Sequence, residues 1–98
     1  MDIDFEDKRL ALIETDRAAQ TKLPTAVIAS CRQKLAVLRA APDERVLRNW
    51  KSLHYEKLDG DRAGQRSIRL NKQWRLVFRL EEISNPPKII VLSIEDYH

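Results

Sequence analysis

Residues Gly60 to Leu80, GDRAGQRSIRLNKQWRLVFRL, are the stretch on which the fold turns. Two alternating runs flank the polar break Asn71-Lys72-Gln73, the pattern of an antiparallel hairpin. Parity sets its register: Ile68 and Leu70 share an inner face with Trp74, Leu76, Phe78 and Leu80, because a slip of one residue would move a whole apolar set into water. Leu70 then pairs with Trp74 and Arg69 stands opposite Arg75. Between Arg62 and Leu80 there are six basic side chains, Arg62, Arg66, Arg69, Lys72, Arg75 and Arg79, and no acidic one. Like charges facing each other across a ladder repel. Two readings fit: the open face holds an anion, or carboxylates from elsewhere and hydration relieve the repulsion. On the first, Arg75→Ala removes a repulsion and leaves the melting temperature unchanged or slightly raised.

Outward from the hairpin, the 98 residues are expected to form one domain, residues 1–98, with 43% hydrophobic and 34% charged side chains and a net charge of +3. That is ordinary soluble-protein composition. No apolar run approaches the ~20 residues of a membrane span, and no signal-peptide pattern opens the chain. The single cysteine, Cys31, excludes an internal disulfide and fits a reducing cytoplasm. Its helical register with Val27 and Leu35 makes it a core residue.

Met1 to Phe5 reads as a short strand. Asp4 then caps a helix from about Phe5 to Arg17, with Leu10 and Ile13 on its buried stripe. Pro24 opens a second helix in which Val27, Ile28, Cys31, Leu35 and Leu38 share a face, ending before Pro42. Asp43 to Asn49 allows a further turn or two. Ser52 to Leu58 alternates as a strand, with His54 and Glu56 on one side and Leu53 and Tyr55 on the other. Asp59-Gly60-Asp61 is turn chemistry, Pro86-Pro87 delays the last strand, and Lys88 to Glu95 forms it. Helices first and meandering strands after predict an α+β domain, helices on one face of a small antiparallel sheet and a basic face opposite.

The sequence has two histidines, His54 and His98, and two glycines, Gly60 and Gly64, without HExxH, CxxC or EF-hand spacing or a phosphate-cradling loop. The chemistry that fits the rest is RNA cleavage by side chains alone. A base takes the ribose 2′-OH proton, arginine stabilises the pentacovalent phosphate and an acid protonates the leaving 5′-oxygen. The carboxylates Glu56 and Asp96, the imidazoles and Tyr97 are the groups available. Blander readings stand beside these: Trp74 is core by parity, His54 alone is a solvated strand residue, and a terminal Tyr-His is a frayed end. Composition and spacing stop at a basic α+β domain with RNA as one candidate ligand.

A resemblance goes further. The run Leu58-Asp59-Gly60-Asp61-Arg62-Ala63-Gly64-Gln65-Arg66-Ser67-Ile68-Arg69-Leu70-Asn71-Lys72-Gln73-Trp74-Arg75 resembles the L-K-G-D-R-x-G-x-x-S-I-x-x-N-x-x-W-R signature of HigB-type toxins, a branch of the RelE superfamily. The closing Glu95-Asp96-Tyr97-His98 is similar to that family's E/V-D-Y-H ending. The resemblance implies a RelE-like fold and a bacterial toxin that enters the A site of the 70S ribosome and cuts mRNA without metal or other cofactor, leaving a 2′,3′-cyclic phosphate. It also implies a HigA-like helix-turn-helix antitoxin as partner, with operator DNA reached only through that antitoxin, and no membrane. Position by position it makes Arg75, Asp96, Tyr97 and His98 catalytic. Glu56 stands where some members have a catalytic histidine, and Asp59 where they have lysine, so Glu56 is a candidate base. His54, Lys57, Arg62, Arg66, Arg69 and Arg79 are the candidates for RNA phosphates. A negative charge near the ring, from Asp96 or the terminal carboxylate, would favour the imidazolium of His98 as the acid. A non-catalytic protein that binds ribosome or RNA and blocks translation is the alternative.

Overall fold

The computed structural model describes residues 1–97, so the His98 expectation lies outside the described residues. Five strands, β1 (Ile3–Phe5), β2 (Glu56–Lys57), β3 (Gln65–Arg69), β4 (Trp74–Glu81) and β5 (Lys88–Asp96), form one sheet in the order β1-β5-β4-β3-β2. The hairpin is as parity requires: Arg69 faces Arg75, Ile68 faces Leu76, and the Leu70 amide donates to the Trp74 carbonyl at 2.9 Å. Asn71 fixes the loop, its side-chain oxygen accepting from the amides of Gln73 and Trp74 at 2.9 and 2.8 Å. The meander is antiparallel, and β1 adds to its edge as a parallel strand against β5.

On the inner face lie α1 (Thr25–Ala40) and α2 (Glu44–Asn49). Val27, Cys31, Leu35 and Leu38 of α1 and Leu47 of α2 are buried against Ile68, Leu70, Leu76, Phe78, Ile89 and Val91 of the sheet. α1 ends where Pro42 forces Ala41 to be extended. There the Met1 ammonium donates to the Leu38, Arg39 and Ala41 carbonyls at 3.2, 2.9 and 2.7 Å, a positive charge at a helix C-terminus. No helix among the described residues is long and apolar enough to cross a membrane.

Two expected elements differ. The first helix is not a helix from Phe5. Phe5 is held in the sheet opposite Val91, and the Glu6 amide bonds the Val91 carbonyl, so winding starts later. Asp7, not Asp4, caps a 3-10 helix over Lys8–Glu14, and a second one covers Ala18–Thr21. The Thr15 and Thr21 hydroxyls bond back to the Leu12 and Ala18 carbonyls, and Arg32 takes the Ile13 and Thr15 carbonyls, which breaks the segment in two. The expected strand over 52–58 shrinks to the two residues of β2, because Lys51–Leu53 is a 3-10 turn and His54 takes a left-handed backbone with φ 46°. The parity reading survives: Leu53 and Tyr55 pack inward, the Tyr55 ring edge-on to Phe78.

A bulge in β5 matters most for the open face. Val77 pairs with Ser93 but Phe78 pairs with Val91, so Leu92 is an extra residue between them. Side-chain parity flips at that point. Ile89 and Val91 before it and Ile94 after it all serve the core, while Ser93 and Glu95 are turned to the side that carries Arg75.

Candidate active site

Arg75 is the centre of the open face. Its Nε donates to Ser67 Oγ at 2.9 Å and its Nη2 to the His54 carbonyl. Glu56 lies 3.9 Å from the same Nη2, and the guanidinium carbon stands 5.8 Å from the centre of the Tyr97 ring, within cation–π range. Across β5 its register partner is Glu95. The side chain is only 13% exposed. Arg75 is therefore more than one member of a repelling pair, and the expectation that its loss is neutral for stability gives way. Ser67, completely buried, depends on it for a hydrogen bond.

Arg69 faces Arg75 and is turned aside to His54, with Nη1 3.1 Å from the ring Nε2. Guanidinium can only donate, so Nε2 accepts and the imidazole proton of this arrangement sits on Nδ1. The left-handed backbone at His54 presents its carbonyl to Arg75 and its ring to Arg69. Arg79 follows Val77 on the same face, opposite Gln65. His54, Glu56, Arg69, Arg75, Arg79 and Tyr97 thus share one side of the sheet.

Other candidates lie elsewhere. Arg66 points to the helical side, where its Nε reaches Glu44 and the Tyr55 hydroxyl, each at 3.1 Å. Lys57, its register partner, lies on that side too and adds its charge near Glu44. Burial alone would raise the Glu44 carboxyl, but hydrogen bonds from Tyr55 and Arg66 outweigh it and hold it below its ordinary value. The same surroundings push the Tyr55 phenol up to about 12, burial first and Glu44 next. Asp96 pairs with Trp74 in the ladder and accepts from Gln73 Nε2 at 3.0 Å, which sets it at the hairpin loop on the face away from Glu95.

Arg62 is bound by a carboxylate that sequence reasoning passed over. Its Nη1 donates to Glu95 Oε1 at 2.9 Å, its Nη2 to Glu95 Oε2, and its Nε to Gln65 Oε1 at 3.2 Å. Glu95 also accepts from Ser93 Oγ, and the Arg62 hydrogen bonds hold its carboxyl below the usual range. Glu95 was visible in the sequence, but its side could be assigned only with the bulge at Leu92 in hand. Among the described residues no three His, Cys, Asp or Glu side chains gather as a metal site.

The mixed five-stranded sheet with helices on one face is a fold shared with solved bacterial proteins. The solved structure of YafQ from E. coli matches 97% of this chain and 91% of its own at a TM-score of 0.62 with 12% identity. A YoeB/ParE toxin from Agrobacterium tumefaciens matches all of both chains at 0.56 with 16% identity. At sequence level the chain is 35% identical over 79 residues to Toxin HigB-1 of Vibrio cholerae serotype O1, covering 81% of this chain and 83% of that protein. Residues 3–98 match the family described as RelE-like toxin of type II toxin-antitoxin system HigB, and the chain belongs to that family.

Proposed function

We propose that this toxin is a ribosome-dependent endoribonuclease that cuts mRNA in the A site, with no metal or cofactor taking part. The observation that carries this reading is the setting of Arg75: a guanidinium held by Ser67 and the His54 carbonyl, with Glu56 on one side and Tyr97 on the other. Arg75 stabilises the charge that develops on the pentacovalent phosphate. Glu56, more than half exposed, takes the 2′-OH proton, and the leaving 5′-oxygen receives one from His98 or Tyr97. The products are a 2′,3′-cyclic phosphate and a 5′-hydroxyl. Arg69 and Arg79 hold flanking phosphates. The partner that silences the toxin in the cytoplasm is a HigA-like helix-turn-helix antitoxin. A solved neighbour of similar fold, the YoeB toxin of Staphylococcus aureus, is found in complex with YefM.

Primer extension on a translated mRNA tests the reading. Discrete cuts are expected with the native chain and none with Arg75→Ala. Replacing His98 by alanine, or Glu56 by glutamine, should slow the cutting by about the 10²–10⁴-fold typical of a lost proton carrier. Intact mRNA on stalled ribosomes would sink the nuclease and leave a translation inhibitor that acts by binding.

A further inference from the structure

We propose that Arg62 is a positioning residue, not an RNA contact: its fork on Glu95 holds the end of β5 so that the Tyr97 ring stays over Arg75. Only the activity arm of this inference rests on the nuclease reading above.

The observations are independent of one another. Arg62 closes the short 3-10 turn Gly60–Arg62, which opens on Gly60 at φ 66° and is followed by Gly64 at φ 89°, both in the left-handed region. These bring the loop between β2 and β3 back alongside the sheet. From there Arg62 reaches a residue 33 positions later in the chain with both terminal nitrogens, and its Nε is taken by Gln65. All three nitrogens are thus engaged inside the fold, and Arg62 also lies beside the Tyr97 phenol. Paired charges at 38% and 29% exposure are partly screened, yet a two-point arginine–carboxylate fork is the geometry in which such a pair counts. A phosphate would have to break it.

Glu95 is the pivot. It is the ladder partner of Arg75 and lies two residues before Tyr97. Beyond the last ladder pair, Trp74 with Asp96, the backbone is tied by the Tyr97 amide donating to the Gln73 carbonyl at 2.5 Å. Tyr97 therefore has a backbone tether on the hairpin side and the Arg62–Glu95 fork on the other. Loss of the fork frees the ring to swing from Arg75 without disturbing the core.

Amide hydrogen exchange and single-turnover cleavage on programmed ribosomes test this in Arg62→Ala, Arg62→Lys, Glu95→Gln and the Arg62→Ala/Glu95→Gln double variant. Exchange at Tyr97 should quicken by about 10-fold or more in each, with the amides of Leu76 and Phe78 as unchanged controls of folding. The cleavage rate should fall roughly 10–100-fold, as a misplaced group costs, with the half-saturating ribosome concentration unmoved. Lysine keeps the charge but loses the fork, so Arg62→Lys should behave as alanine does. The double variant should be no worse than the worse single one. Tyr97 exchange that stays at the native rate overturns the proposal. So does an affinity loss that lysine restores and that lowers the salt dependence of binding by about one phosphate contact. If the native chain cuts no mRNA, the nuclease reading falls and the exchange arm alone decides on Arg62.

Discussion

Arg75 serves the fold and the proposed chemistry with the same atoms, and that makes its substitution informative. Arg75→Ala strips the buried Ser67 hydroxyl of its donor. Leaving a buried polar group unpaired costs about 1–3 kcal/mol, so the melting temperature should drop by roughly 4 °C or more while cutting is lost. Arg75→Ala combined with Ser67→Ala should recover part of the stability and none of the activity, as read by thermal melts beside primer extension. Cys31 is the opposite kind of residue. Burial pushes its thiol up to about 12, with Glu14 adding to the effect. Since the thiolate is the reactive form, the native protein should resist iodoacetamide at neutral pH and become labelled only as fast as it unfolds. Rapid labelling of the folded chain would remove Cys31 from the core.

Elements here are tied together by carboxylates. Glu44 joins α2 to β3 through Arg66, Glu95 joins β5 to the Gly60–Arg62 turn, and Glu14 joins the Lys8–Glu14 segment to α1 through Arg39. All three are held below the ordinary value of 4.5. Hydrogen bonds from Arg39 and Arg62 do this for Glu14 and Glu95, and those from Tyr55 and Arg66 overcome burial for Glu44. A carboxyl lowered in the folded state gives up its stabilisation as pH falls, because the unfolded chain takes up the proton first. Melting temperature should therefore be level from neutral pH to about 5 and fall steadily below that. Glu44→Gln should lower stability at neutral pH and flatten part of the acid slope. An acid profile identical to the native one would show that Glu44 does not bind α2 to the sheet.

At the scale of the molecule the two sides of the sheet differ in what they offer a partner. One side carries Arg69, Arg75 and Arg79; the other is layered with α1 and α2, which leave an apolar groove lined by Ala36, Val37, Ala40, Val46 and Trp50. An antitoxin that blocks by occlusion should bring acids to the arginines. Its affinity should then weaken measurably as salt is raised from low to moderate concentration, because exposed charge pairs are screened. Titration calorimetry across that range gives the answer. Affinity that stays flat would place the antitoxin over the helices, where apolar contact dominates.

The hairpin, the core face of α1, the helix stop before Pro42 and the strand start after Pro86-Pro87 were legible in the sequence, because each rests on local rules of parity, periodicity and proline sterics. So were the family, from two blocks of matching residues, and the clustering of Arg69 and Arg75, which follows from register alone. What the sequence left open depended on contacts between distant segments. Phe5 is in a strand because β5 is there to pair with it, and winding is delayed to Lys8 for that reason. Arg66 and Arg75 look alike in a list of basic residues, but odd and even positions of a strand point to opposite faces, and Glu44 waits on one of them. Glu95 changes sides because Leu92 adds one residue to β5, a bulge that shows only against the partner strand. Local chemistry determined which elements form. The tertiary structure decided which charges meet, since a charge is neutralised by whatever the fold brings within a few ångströms of it, regardless of distance along the chain.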